Sequence, residues 1–387
     1  MSIKIFVSDL HLSDATTGNY NINKEVLDNF FNYIKGDIAS AGGKAELIIL
    51  GDFLDILRST RWKDEIQPWI NPNSIKSTVV DIVNSIFDKN VFFFSRLKEY
   101  TYKNIDITYI MGNHDRLLNS SRYDDIREVV RELLGIKYSN GDIFDWKYDQ
   151  KNLLIYAEHG NNCDIYNSIC SKGMISIGDA IITLLINKYP ESIYKIKKDE
   201  VTYKRLQEID NLRPVTIAPL WIRFIENDNE NLIDFLEEQW DTLLSSFKEN
   251  EFVKEWGSKN KIQKFKLDVC LRLFTNIIAE KGFEKFSGLF RKQDPYLTAA
   301  VTIADSGNYD YVLFGHTHEC TTSLLDVKDG KKKYYINTGT WRKRIVHSKI
   351  KDKVVFGDQE SINYALLTID DDTNEVTGFQ VWDGILG

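Results

Sequence analysis

Residues 105–115 read IDITYIMGNHD, an apolar run that ends in Asn113, His114 and Asp115. The same layout, a short apolar run followed by polar side chains that can bind metal, recurs along the chain. Continuous apolar runs of this length are typical of strands buried on both faces. The other runs are Ile3–Val7 before Asp9, Leu47–Leu50 before Asp52, Leu153–Ala157 before His159 and Tyr311–Phe314 before His316.

Five of the chain's six histidines belong to this series, and only His347 lies outside it. Neutral imidazole, carboxylate and amide oxygen are ligands of divalent transition metals, and two ions about 3.5–4 Å apart are a common device for phosphoryl chemistry. His114 could donate a proton to a leaving group, and Asp115 could orient His114 through its ring N–H. The expected ligands of a two-metal site are Asp9, His11, Asp52, Asn113, His159, His316 and His318.

Helical periodicity fills the gaps between the early strands, at residues 23–40, 74–99 and 121–134. Alternating strands and helices predict an α/β sandwich, whose ligands lie beyond the carboxyl ends of its strands. Residues 165–305 carry mostly helical patterns, and strand candidates return at Tyr334–Asn337, Ile362–Ile369 and Val376–Trp382. We therefore expect a core formed by residues 1–164 and 306–387, with residues 165–305 as a helical insertion that could form a cap.

Composition sets broad limits on partners and compartment. The chain has 387 residues, 43% of them hydrophobic, and a formal charge of -8, which disfavours a protein that coats nucleic acid nonspecifically. Its four cysteines form no Cys-x-x-Cys pair, which favours idle thiols in a reducing compartment. The chain shows no signal-peptide layout and no run of about 18 apolar residues, so we expect a cytoplasmic protein without a transmembrane segment.

Taken in order, the motifs resemble those of the calcineurin-like metallophosphoesterase superfamily over roughly residues 1–165 and 305–380. They are Asp9-x-His11, Gly51-Asp52, Gly112-Asn113-His114-Asp115, His159 and Gly315-His316-x-His318. The resemblance implies a four-layer α/β/β/α sandwich. It also implies that one metal is held by Asp9, His11 and His318, the other by Asn113, His159 and His316, and that Asp52 is shared.

The flanking residues are similar to one branch of that superfamily. Gly51-Asp52-Phe53-Leu54-Asp55 and the run from His159 to Asp164 look like the branch that contains UDP-2,3-diacylglucosamine pyrophosphohydrolase. That branch carries arginine at the position of His114, so the chain departs from it at a proposed catalytic residue.

Three functions are weighed. The first is a dinuclear metal-dependent phosphoesterase that hydrolyses a phosphodiester or pyrophosphate bond of a small nucleotide-like substrate by metal-hydroxide attack. The second is a metal-dependent nuclease of the same fold acting on DNA or RNA, supported by the basic run Arg342–Arg344. The third, a non-catalytic binding module, is disfavoured because every ligand is present. Manganese is the first expectation for the metals, and Fe, Zn, Ni or Co suit the same ligands.

Several side chains have two interpretations. Arg116 could contact substrate phosphate or form a salt bridge. Asp55 and Asp164 could bind ligand histidines or cap helices. Arg342–Arg344 could steer phosphate or form a solvated face. The apolar stretch Met174–Ile186 could be a lipid-contacting lid, an ordinary core helix or the interface of a homodimer.

Overall fold

The computed structural model of the chain describes residues 1–19, 21–101, 105–136, 142–169, 174–213, 217–226, 230–272, 294–328, 330–350 and 353–386. The strands are β1 (Ser2–Val7), β2 (Ala45–Leu50), β3 (Ile105–Ile110), β4 (Lys147–Gln150), β5 (Ile155–Glu158), β6 (Tyr311–Phe314), β7 (Cys320–Lys328), β8 (Lys331–Thr338), β9 (Arg344–Ile350), β10 (Lys353–Asp370) and β11 (Glu375–Leu386). The helices are α1 (Lys24–Ser40), α2 (Pro72–Lys89), α3 (Val91–Thr101), α4 (Asp124–Leu134), α5 (Ile177–Ala180), α6 (Lys188–Lys197), α7 (Glu200–Gln207), α8 (Ala218–Glu226), α9 (Glu230–Glu249), α10 (Glu251–Lys259), α11 (Lys261–Arg272) and α12 (Pro295–Gly307).

These strands form two sheets. The first has the order β11-β10-β1-β2-β3, with β9 paired to β10, and its β1, β2 and β3 are parallel. The second has the order β4-β5-β6-β8-β7, and its β5, β6 and β8 are parallel. Because parallel strands share one direction, the loops that follow them emerge at one edge of each sheet.

The two sheets and the core helices stack as the predicted four-layer α/β/β/α sandwich. Side chains alternate along β1, so Ile3, Ile5 and Val7 pack against the layer of α1 to α4, whereas Phe6 faces the second sheet. On the outer face of the second sheet, α12 packs Ala300 and Ala304 among apolar residues of β6 and β8. Each sheet is thus packed against the other sheet on one face and against helices on its opposite face.

The insertion has a hydrophobic core of its own. Residues of α5 to α11 pack around Trp240, and Ile345 of β9 joins this cluster from the sandwich. Most of helix α12 lies within the predicted range 165–305, yet it packs on the second sheet. We therefore propose that the insertion ends before Pro295, and the stretch 273–293 that joins the two lies outside the described residues.

Some elements differ from the sequence-based expectation. The helix predicted over residues 74–99 is two helices, because Asn90 ends α2 and its side-chain amide donates to the backbone oxygens of Ser13 and Ile86. The strand expected from Leu153 begins at Ile155, after Leu154 adopts a left-handed φ of 56°. Strands β4, β7 and β9 have no counterpart among the predicted strands. Their sequences are rich in polar residues and lack the continuous apolar run on which the other predictions rest.

The apolar stretch Met174–Ile186 is a core helix, one of the three interpretations above. It forms α5 and a π-helical turn at Ile181–Ile186, and it buries Ile177, Leu184 and Leu185 inside the insertion. None of the described helices has both the length and the apolar character needed to cross a membrane. Three cysteines, Cys163, Cys270 and Cys320, are free thiols, and Cys170 lies outside the described residues.

Candidate metal centre

The side chains predicted to bind metal lie in the loops that follow the parallel strands. Five of them adopt the left-handed backbone conformation that non-glycine residues rarely take, and such conformations concentrate at functional sites. Their φ angles are 54° at Asp9, 48° at His11, 49° at Asp52, 70° at His316 and 61° at His318. The loops therefore turn sharply enough to direct these side chains toward one another.

Glycines allow the loops to approach closely. A Cβ atom on Gly112 would lie 2.3 Å from both the backbone nitrogen and Oδ1 of Asp52. A Cβ atom on Gly315 would lie 2.5 Å from Oδ2 of Asp9. Real Cβ atoms essentially never make contacts shorter than 3.0 Å, so these two positions require glycine.

One group of ligand atoms is formed by Asp9, His11 and His318. The Nε2 atoms of the two histidines are 3.0 Å apart. Oδ1 of Asp9 lies 3.2 Å from Nε2 of His318 and 3.8 Å from Nε2 of His11. The second oxygen of Asp9 accepts a hydrogen bond of 2.8 Å from the backbone N–H of His316. These three ligand atoms lie close enough together to hold one ion.

A second group is formed around His159. Its Nε2 lies 3.0 Å from Oδ1 of Asn113, 3.3 Å from Nδ1 of His316 and 3.3 Å from Oδ2 of Asp52. The same oxygen of Asp52 lies 3.7 Å from Nε2 of His11, in the first group. Asp52 thus lies between the two groups. The seven side chains predicted as ligands all lie within these two neighbouring groups.

The donor set fits divalent ions. The Nδ1 atom of His159 is 2.7 Å from the backbone oxygen of Leu50, so the neutral ring keeps its proton on Nδ1 and has a lone pair on Nε2 that is directed into the site. Oδ1 of Asp9 is buried and accepts no hydrogen bond from any described residue. Buried lone pairs that converge in this way are stabilised by a bound cation.

The electrostatics agree with a site built for positive charge. Burial opposes ionisation of Asp9 and Asp52, but the surrounding histidines, His159 first, outweigh it and hold both pKa values well below the usual range. Burial likewise opposes protonation of His11, yet the hydrogen bond to Asp55 and the negative charges of Asp55 and Asp52 outweigh it and raise the pKa of His11 to about 9. For His159, the charges of Asp52 and Asp9 overcome burial and raise the pKa to about 10.

The predicted contact between Asp115 and His114 is wrong. Oδ1 of Asp115 accepts from the backbone of Gly112 at 2.7 Å, and Oδ2 accepts from the backbone of Phe53 at 2.9 Å and the hydroxyl of Tyr109 at 2.5 Å. The turn directs this carboxylate back into the loops, so it joins the loops after β2 and β3 instead of facing the ring.

Asp55 takes the place that was predicted for Asp115. Its Oδ1 is 2.6 Å from Nδ1 of His114, and its Oδ2 is 3.0 Å from Nδ1 of His11. Asp164 contacts another predicted ligand, because its Oδ2 lies 3.4 Å from Nε2 of His316. Asp164 also accepts from the backbone N–H of Tyr166 in the turn that follows, and it caps no described helix with its side chain.

The basic side chains near the motifs are engaged inside the protein. Arg116 is buried and donates to Asn167, Ser176 and Asp179, which joins the loop after β3 to the insertion. Arg342 is also buried, with Nη1 2.8 Å from Oδ2 of Asp210 and Nε donating to Asn211. The interpretation of Arg342 as part of a solvated basic face is therefore wrong.

One side chain at the site was missed from the sequence. Nη2 of Arg213, in the insertion, contacts Nδ1 of His318. No motif surrounds Arg213, and its position depends on how the insertion packs against β9. Burial and the charge of Arg213 together lower the pKa of His318 to about 3.

Comparisons with known proteins identify the family. The family model described as calcineurin-like phosphoesterase matches residues 5–320. Among solved structures, a dimetal phosphatase from Danio rerio is similar at 8% sequence identity and a TM-score of 0.29, with 99% of this chain and 96% of that chain covered. No curated protein matches the sequence. The family model spans most of the chain, and the chain therefore belongs to the calcineurin-like phosphoesterase family of metal-dependent phosphoric ester hydrolases.

Proposed function

We propose that this protein hydrolyses a phosphodiester or pyrophosphate bond of a small nucleotide-like substrate at a pair of divalent metal ions. The observation that carries the proposal is the position of Asp52, whose Oδ2 lies 3.3 Å from Nε2 of His159 and 3.7 Å from Nε2 of His11. A carboxylate oxygen between two groups of ligand atoms suits a bridging ligand. One-metal or metal-free chemistry gives no reason for this arrangement.

In this proposal the seven ligands are assigned to the two ions as the family resemblance implies. Asp9, His11 and His318 would hold one ion, Asn113, His159 and His316 would hold the other, and Asp52 would contact both. A divalent pair supplies a water of lowered pKa and positive charge for the phosphoryl oxygens. Manganese remains the first choice for the metal, and Fe, Zn, Ni and Co suit the same ligand types.

His114 is the proposed proton donor to the leaving group. It is 8% exposed, and its Nε2 is 3.9 Å from Oδ2 of Asp52, so it borders both the metal ligands and solvent. Burial opposes its protonation, but the charges of Asp55 and Asp52 outweigh burial and raise its pKa. A protonated ring fixed at Nδ1 by Asp55 can present an N–H from Nε2. Asp115 supports this arrangement indirectly, by fixing the loops around the ring.

The insertion favours a substrate of limited size. Arg213 reaches His318, and Asp210 and Asn211 bind Arg342 beside Asp55, so the segment 210–213 borders the proposed site. A long polymer would have to pass this segment. The nucleotide-like character is inferred from the phosphoester chemistry and the acidic chain.

The test is hydrolysis by metal-loaded protein across a defined panel. The panel contains bis-p-nitrophenyl phosphate, p-nitrophenyl phosphate, UDP- and ADP-linked diphosphates and single-stranded DNA. We expect turnover of a diester or diphosphate with manganese, and loss of that turnover in Asp52→Asn and His159→Ala proteins that keep the wild-type circular dichroism. His347→Ala is the matched control, because this histidine lies on β9 outside the site. Full activity in Asp52→Asn would contradict the proposal.

Two of the three cations on which the nuclease alternative rests form ion pairs within the protein. Of the basic run, Arg342 is buried against Asp210, and Lys343 lies 2.9 Å from Glu208 and 3.3 Å from Asp358. These cations are engaged by acidic groups of the protein itself. Single-stranded DNA stays in the panel, and its preferential cleavage would reinstate this alternative.

A further inference from the structure

Arg213 is the point where the insertion reaches the proposed metal centre. Its Nη2 contacts Nδ1 of His318, and its Nη1 donates to the backbone oxygens of Asp210 at 2.9 Å and Leu212 at 2.8 Å. Its side chain is half-buried. The guanidinium therefore contacts the proposed metal ligand His318 at Nδ1 and leaves Nε2 available to a metal ion.

The backbone that carries Arg213 is fixed to the sandwich. The N–H of Arg213 donates to the backbone oxygen of Ile345 at 2.9 Å, and Leu212 forms an isolated β-bridge with the same residue of β9. Asn211, the residue before Leu212, accepts a hydrogen bond of 2.6 Å from Arg342. Only the side chain of Arg213 can then change position without disrupting these contacts.

The contact with His318 sets the ring proton. A guanidinium only donates hydrogen bonds, so Nδ1 of His318 must accept, and the proton of the neutral ring is on Nε2. Nε2 lies 3.2 Å from Oδ1 of Asp9 and 3.0 Å from Nε2 of His11, two other atoms of the same group of proposed ligands. A metal ligand at Nε2 needs the opposite tautomer, with the proton on Nδ1. The N–H at Nδ1 of His318 and the N–H at Nη2 of Arg213 would then face each other as two donors. The Arg213 guanidinium would therefore turn to another acceptor.

The neighbouring arginines differ from Arg213 in their partners. Nε of Arg58 is 3.4 Å from Oδ2 of Asp210, and Nη1 of Arg342 is 2.8 Å from the same oxygen. Arg213 instead contacts an imidazole and two backbone oxygens. Arg342 lies near the carboxylates of both Asp55 and Asp210, whereas the closest side-chain contact of Arg213 is the imidazole of His318.

We infer that Arg213 binds the phosphoryl group of the substrate, and that it is released for this contact when a divalent ion takes Nε2 of His318. Phosphate oxygens are the acceptors that a planar guanidinium suits best. The inference rests on the proposed function, and it adds a substrate-binding residue from the insertion to the motif residues of the core.

The experiment compares wild-type protein with Arg213→Ala, Arg213→Lys and the control Arg223→Ala, an exposed arginine of α8. Manganese stoichiometry and affinity are measured by calorimetry on metal-free protein, and inorganic phosphate is then titrated into the manganese-loaded proteins. We expect two manganese ions per chain throughout, and affinity for manganese in Arg213→Ala equal to or higher than in wild type. Phosphate affinity should fall roughly ten- to hundredfold in Arg213→Ala, less in Arg213→Lys and not at all in Arg223→Ala.

Other results would overturn the inference. Unchanged phosphate affinity in Arg213→Ala, or no phosphate binding by wild type, would show that Arg213 is not a phosphate ligand. Loss of a manganese ion in both Arg213 variants would show that the guanidinium supports His318 instead. The hydrolysis panel decides the proposed function separately. A wild type that binds manganese and phosphate but cleaves nothing contradicts that function alone, and one that binds no manganese contradicts both.

Discussion

Oδ1 of Asp55 lies 2.6 Å from Nδ1 of His114, and both side chains are buried at the centre of the proposed site. The other oxygen of the same carboxylate is 3.0 Å from Nδ1 of His11. One side chain thus orients both the proposed proton donor and a proposed metal ligand. A carboxylate that fixes the outer nitrogen of a ligand histidine tunes both its tautomer and its basicity.

Replacing Asp55 with asparagine should therefore lower turnover and metal affinity together. We expect roughly a 10- to 100-fold loss in each, because partners of this kind contribute about that much to metal affinity or activity. The measurements are kcat on the best panel substrate and manganese affinity by calorimetry. Asp88→Asn, an exposed position on α2, is the control. A variant with wild-type kcat and metal affinity would show that Asp55 has no orienting role.

The buried ion pair between Arg116 and Asp179 should fix the insertion to the core. Both side chains are almost completely buried, at 0% and 1% exposure, and each belongs to a different part of the fold. Removing one partner leaves an uncompensated buried charge, so Arg116→Ala should lower the free energy of unfolding by about 3–5 kcal/mol. Urea denaturation measures the change. Lys259→Ala, which breaks the exposed pair with Glu255, should leave the free energy of unfolding nearly unchanged. If Arg116→Ala also left the free energy of unfolding nearly unchanged, this ion pair would not fix the insertion to the core.

Much of the candidate site could be predicted because its proposed ligands are coded locally. Asp9, Asp52 and His159 each follow an apolar strand directly, and parallel strands bring their carboxyl ends to one edge. The partner of His114 could not be found in this way. Asp115 is adjacent in sequence, but the turn directs it away, and the partner Asp55 comes from the loop after β2.

The fold shows the same division between local and distant contacts. The α/β sandwich follows from alternating strand and helix patterns, and its four layers are implied by the family resemblance. The packing of α12 and the position of Arg213 depend instead on contacts between segments far apart in sequence. In particular, Arg213 lies beside His318 only because its backbone pairs with Ile345. Apolar periodicity does not encode such a contact.

Metal binding should release protons and weaken as the pH falls. In the metal-free protein the pKa of His11 is raised to about 9 and that of His159 to about 10. At pH 8 both rings are therefore positively charged, with a proton on each ring nitrogen. A metal ligand must be neutral, so loading displaces these protons, and affinity should rise as the pH increases toward 9. Calorimetry in two buffers of different ionisation enthalpy measures the release. Equal heats in both buffers would contradict this prediction, and His159→Ala should show a smaller release than wild type.

Gly112 should tolerate no side chain at all. A Cβ atom there would lie 2.3 Å from the backbone nitrogen and from Oδ1 of Asp52, neither of which can move without disturbing the proposed bridging ligand. Gly112→Ala should lower the free energy of unfolding by at least about 2 kcal/mol and remove hydrolytic activity, because the loop after β3 must shift. The matched control is Gly36→Ala in α1, where a Cβ atom meets nothing within 4 Å. That substitution should stabilise the protein by up to about 1 kcal/mol, since alanine is the better helix former. Chemical denaturation and the hydrolysis assay measure both variants. If Gly112→Ala matched wild type in both, the close approach of the two loops would not be required for the site.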